Sequence, residues 1–72
     1  MNKAQAIAAG LSKAHKDALL GRWSWASPFE ADLGENDFYR LGLWRTDYIK
    51  SGESILTPLG LAVRAVLAEA AS

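Results

Sequence analysis

The sequence predicts a small α+β domain, mostly helical, with a two- to three-stranded antiparallel sheet. Helix-start signals recur along the chain, strand formers gather around a turn at 50–53, and the last segment repeats apolar residues at helical spacing. A chain of 72 residues has room for one such domain, with 1–10 read as an N-terminal helical extension.

At the start, Asn2 with Gln5 three residues on spells a capping box for a short helix that Gly10 stops. Ser12 caps a second, running to Leu20 and closed by Gly21. Ala4, Ile7, Leu11, Ala14 and Ala18 keep one stripe across Gly10, so a single bent helix fits the same residues. Arg22 to Ala26 alternates, with Trp23 and Trp25 on one side and Arg22 and Ser24 on the other, which suits a short strand. Ser27, Pro28 and Glu30 then open a helix: a cap oxygen, a first position that needs no N–H, and a carboxylate that reaches back to the cap amide. Gly34 offers a left-handed stop after Leu33, and Asn36 caps a further short helix through Phe38, Tyr39 and Leu41 that Gly42 ends. Two short helices about a glycine turn are therefore expected over 28–41.

Leu43 to Ile49 is rich in strand formers, Lys50-Ser51-Gly52-Glu53 carries turn chemistry, and Ser54 to Leu56 returns as the second strand of a hairpin. Thr57 and Pro58 start a final helix in which Leu59, Ala62, Val63, Val66, Leu67 and Ala70 form a buried face. Burying its four larger apolar side chains yields roughly 6–12 kcal/mol gross. Ordering the backbone costs about 1–2 kcal/mol per residue, so this helix forms only when packed.

Eight basic residues balance eight acidic ones, so any attraction for nucleic acid or membrane must come from local clustering. Glu30, Asp32, Glu35 and Asp37 make the middle of the chain acidic. With no cysteine, neither a disulfide framework nor a thiolate metal site is available. The apolar start, Ala4 to Leu11, is too short for a membrane span and is followed at once by Lys13, His15 and Lys16, so a cytoplasmic protein is expected. His15, the one histidine, reads as a solvated surface residue. No nucleophile elbow or phosphate-binding glycine loop is present, and the acid run lacks calcium-loop spacing. The expectation is a protein with no enzymatic activity, no cofactor, no metal and no small-molecule substrate.

Tyr39-Arg40-Leu41-Gly42-Leu43-Trp44 resembles the passage where winged helix-turn-helix domains leave their recognition helix for the wing. Leu56-Thr57-Pro58-Leu59-Gly60 is similar to the opening of the C-terminal helix in multiple-antibiotic-resistance-type regulators and in small phage and prophage proteins of this fold. The likeness covers about residues 11 to 70. It implies a homodimeric transcriptional regulator of a phage or bacterium that binds duplex DNA, with Asn36, Tyr39 and Arg40 toward bases and Arg45 and Lys50 toward phosphates. Two acids fall among the exposed residues of that recognition position, and a carboxylate about 10 Å from a phosphate is repelled by ~0.4 kcal/mol in water. Their quieter use, for Glu30 and Asp37, is helix capping and dipole placement.

The second reading turns the same scaffold to protein contacts. An example would be a phage-encoded inhibitor of a host nucleic-acid-binding or defence protein, with Glu30, Asp32, Glu35 and Asp37 steering a basic partner and Trp23 and Trp25 as anchors. Those tryptophans, with Trp44, serve equally as the packing face of the small sheet. A leftover strip on the last helix, Leu61, Ala65 and Ala68, predicts dimerisation through the N- and C-terminal helices.

Overall fold

The computed structural model describes residues 2–47, 49 and 52–71. Four helices and one hairpin follow in the order α1 (Lys3–Gly10), α2 (Lys13–Leu19), α3 (Pro28–Arg40), β1 (Trp44–Asp47), β2 (Glu53–Leu56) and α4 (Pro58–Ala71). The α+β class, mostly helical with a two-stranded antiparallel sheet, is the one the sequence predicts.

Each helix starts where its local chemistry says it should. The Asn2 side chain accepts from the Gln5 amide at 2.8 Å while the Asn2 amide donates to Gln5 Oε1 at 3.0 Å, completing a reciprocal box at α1. Leu11 is extended, so α1 and α2 are separate helices and the single bent helix is not formed. Ser12 caps α2, and Gly21 at φ 83 closes it in a Schellman arrangement, the Arg22 amide donating to the Asp17 carbonyl at 2.8 Å. The same device ends α3: Gly42 has φ 76 and the Leu43 amide donates to the Phe38 carbonyl at 2.9 Å. Thr57 holds α4 at both ends of its hydroxyl, which donates to the Gly42 carbonyl at 2.6 Å and accepts from the Gly60 amide at 3.0 Å.

Two expectations fail together. Residues 22–25 are not a strand, and α3 runs unbroken through Gly34. Trp25 links the two facts. It leaves the segment inward and lies over the bare backbone of Gly34, where a Cβ would stand 2.0 Å from Trp25 Cη2. A helical glycine costs about 0.5–1 kcal/mol against alanine, and the burial of an indole offsets that cost. Gly34 is thus a contact glycine inside a helix, and the helix-glycine-helix corner expected over 28–41 does not exist. Because the segment has no strand partner to impose alternation, Trp23 and Trp25 do not share one environment: Trp25 is 7% exposed and Trp23 is 69% exposed.

The hairpin pairs Trp44 with Leu56, Arg45 with Ile55, Thr46 with Ser54 and Asp47 with Glu53. It is shorter than expected on the first strand, which ends at Asp47, and longer on the second, which takes in Glu53. The Gly52 amide donates back to the Asp47 carbonyl at 3.0 Å, and Gly52 has the positive φ of 79 that the turn requires. The core gathers Ala4 and Ala8 of α1, Leu19, Trp25, Ala31 and Phe38 of α3, Leu43, and Val63 and Leu67 of α4. α1 lies along α4. Of the stripe expected on α4, Val63 and Leu67 are buried and Leu59 and Val66 half-buried, while Ala62 and Ala70 face out. Gly60 lets α4 approach so closely that a Cβ there would meet the Leu43 carbonyl oxygen at 2.1 Å.

Candidate interaction site

A continuous α3 fixes which side chains share a face. Successive residues turn by about 100°, and Ala31, Gly34 and Phe38 point inward. Phe29, Leu33, Asn36 and Arg40 therefore stand on the opposite side, and all four are exposed. Phe29 is 73% and Leu33 53% exposed, large apolar side chains one turn apart. Asp32 and Glu30 flank them on either side, both exposed. Glu30 reaches back toward the start of the helix as expected, although its Oε2 accepts from the Ala26 amide at 3.2 Å rather than from the amide of the cap residue Ser27. Over its whole length α3 carries four carboxylates and one guanidinium.

The residues expected to meet DNA are dispersed. Asn36 and Arg40 lie on the outward face, but Arg40 donates to Asp37 Oδ1 at 2.6 Å. Tyr39 turns to the hairpin, where its hydroxyl hydrogen-bonds Ser54 Oγ and its ring meets Trp44 edge-on at 5.9 Å. Arg45 is exposed on β1, and Lys50 lies outside the described residues.

The residues expected to meet protein separate into three groups. Glu30 and Asp32 frame Phe29 and Leu33. Trp23 and Glu35 line a cleft with Trp44, treated below. Asp37 faces the other flank of α3, where it accepts from His15 Nε2 at 3.1 Å as well as from Arg40. Trp25 is a core residue and no anchor.

His15 is not the solvated histidine the sequence suggests. It is half-buried, edge-on to Trp25 at 5.0 Å and to Phe38 at 5.5 Å. In the neutral tautomer whose Nε2–H donates to Asp37, Nδ1 accepts from the Ser12 hydroxyl, which it meets. The Ser12 oxygen also accepts the His15 amide at 3.2 Å as the cap of α2, and Asp37 divides its charge between His15 and Arg40. The chain Ser12, His15, Asp37, Arg40 thus fastens the first turn of α2 to the last turns of α3. Hydrogen bonds from His15 and Arg40 hold the Asp37 carboxyl below its ordinary range, against the opposing pull of burial.

Phe29 and Leu33 are absent from the sites the sequence suggests, although both precede Gly34 and their spacing of four already places them on one face of the short helix expected there. That spacing is the signal that finds them; their exposure is what the structure adds. Leu61, Ala65 and Ala68 of α4 do lie exposed as a strip. Among the described residues, no three His, Asp or Glu side chains gather as a metal set, and no helix is long and apolar enough to cross a membrane.

No family model, no curated protein and no solved structure matches the chain. A two-stranded hairpin and the capped α4 are present, whereas the pair of short helices about Gly34 expected over 28–41 is replaced by one continuous helix.

Proposed function

We propose that this chain is a protein-interaction module that docks the outward face of α3 into an apolar groove rimmed by basic side chains. The observation that carries this reading is the exposure of Phe29 and Leu33 on successive turns of a helix framed by Glu30 and Asp32. Helix-in-groove recognition uses this spacing of apolar anchors, with charges at the rim setting orientation and encounter rate. The partner it suits is a protein whose own binding face is basic, such as one that handles nucleic acid.

DNA recognition is the weaker reading. Asn36 and Arg40 do project outward, and Arg45 is exposed beyond them. A duplex would nevertheless meet two uncovered hydrocarbon side chains and a helix with net charge −3, from its four carboxylates and one guanidinium. Phosphate contacts by Lys and Arg supply most non-specific affinity, and the one cation on this helix is already paired with Asp37.

The two readings part cleanly under measurement. Wild type and Phe29→Ala/Leu33→Ala would serve as parallel baits, and each protein retained only by wild type would be purified and titrated. The docking reading expects the double variant to bind that protein at least ~30-fold more weakly, as for the loss of hot-spot side chains, with Arg45→Ala unchanged. Equal affinity of the double variant would end it. Micromolar binding to duplex DNA in anisotropy, falling steeply as salt rises, would establish the other reading in its place.

A further inference from the structure

Beside α3, on the flank away from His15, a cleft of about 210 Å³ is lined by Trp23, Trp25 and Trp44, together with Glu35, Arg22, Ala18 and Gly21. All three tryptophans of the chain border this one cleft, although they come from the loop before α3 and from β1. Trp25 and Trp44 are held by the core: Trp25 is buried over Gly34, and Trp44 packs at 5.0 Å from Phe38 and edge-on to Tyr39. Trp23 stands open to solvent at the margin. Glu35 is half-buried, yet among the described residues it accepts no hydrogen bond and makes no ion pair. Arg22 is the cation on the lining and forms no ion pair among the described residues; the Asp17 carboxyl is held low first by Lys13, then by Ser24, and least by Arg22.

Aromatic faces carry negative potential and attract a cation placed over them, the more so when water is excluded. A carboxylate with no partner among the described residues adds a charge that such a cation would complete. The volume lies below the roughly 300 Å³ at which small-molecule clefts begin, so it suits the end of one side chain rather than a metabolite. We infer that the Trp23–Trp44–Glu35 cleft binds an alkylammonium group, the end of a lysine side chain presented by a basic protein partner. For the source of the cation this rests on the docking reading above; the chemistry of the cleft does not.

Tryptophan fluorescence titrated with N-acetyl-lysine methylamide and, separately, with tetramethylammonium chloride tests it, against sodium chloride at matched ionic strength. A saturable response to either ammonium probe is expected, weakened about tenfold in Glu35→Gln and in Trp23→Ala, both at solvent-accessible positions, and unaltered in Phe29→Ala. The stronger of the two probes tells a bare lysine end from a methylated one. A response no different from that to sodium chloride would overturn the assignment, as would one that survives both variants. Loss of partner binding in Phe29→Ala/Leu33→Ala leaves this result untouched, so the two proposals fail separately.

Discussion

Inward, α3 sets Ala31, Gly34 and Phe38 against Trp25 and the rest of the core, each fitted to its neighbour. Outward, half a turn away, Phe29 and Leu33 touch little and lie open to water. Apolar character alone does not separate the two sides, since both carry a phenylalanine. What differs is complementarity: the inner side has a partner shaped to it within the chain, down to a glycine where an indole lies. Two large apolar side chains on successive turns of the solvent side form a small uncovered patch, and that patch is what the proposed docking would cover.

The sharpest way to break the contrast is to empty the inner side. Phe38 is fully buried, and Phe38→Ala is expected to cost about 3–5 kcal/mol, most of what a domain this small retains. A thermal melt followed by circular dichroism should lose its cooperative transition, and a melt within a few degrees of wild type would mean that the inner side is not the core.

Filling the inner side tests the same contrast from the other direction. At an ordinary helical position Gly→Ala stabilises by about 0.5–1 kcal/mol. For Gly34→Ala the sign is expected to reverse, to a loss of about 1–3 kcal/mol in urea unfolding, because the new methyl would occupy the volume of the Trp25 ring. In a Trp25→Leu background the same substitution should cost less, and that coupling locates the clash. A stabilised Gly34→Ala would show that Trp25 swings away freely.

On the outer side, Phe29→Ala and Leu33→Ala should each leave stability within about 0.5 kcal/mol of wild type while weakening partner binding, toward the ~30-fold loss expected of the two together. Any larger loss of stability would place these side chains in the fold and remove the reason to assign them a partner.

The parts of this fold that could be read in advance are those whose cause lies within three or four residues. Asn2 with Gln5, Ser12, Ser27 with Pro28, and Thr57 with Pro58 each satisfy backbone amides of their own first turn, so the four helix starts follow from local chemistry. The left-handed glycines 21, 42 and 52 end elements for the same reason. What escaped reading depends on residues distant in sequence. Whether Gly34 stops a helix or seats an aromatic ring is decided by Trp25, which approaches from the preceding loop. Whether His15 is solvated is decided by Asp37, 22 residues on. The candidate site inherits that split: the acids were visible as a run, but their division among an outward face, an aromatic cleft and a histidine clamp needed the unbroken helix. Phe29 and Leu33, four apart ahead of Gly34, were legible as one helical face in advance, whereas their exposure depends on what the rest of the chain leaves uncovered.

The flank between the two faces yields the smallest effect and the finest test. Asp37 joins α3 to α2 through His15 while also pairing Arg40. The hydrogen bond from His15, and after it Arg40, keep its carboxyl below the ordinary 3.8, so the folded chain takes up that proton less readily than the unfolded chain. The stability it contributes is then fully present above the ordinary carboxylate value and is lost as the pH falls through the lowered one. Asp17, held low by Lys13, behaves alike in both proteins compared and cancels. The difference in urea midpoint between wild type and Asp37→Asn should accordingly stand at full size at neutral pH and shrink once the pH drops below 3.8. A difference that persists unchanged into acid would show that Asp37 acts at this joint through its shape and hydrogen-bond geometry, with its charge contributing nothing. The flank would then belong with the fitted inner side of α3 rather than with its charged surroundings.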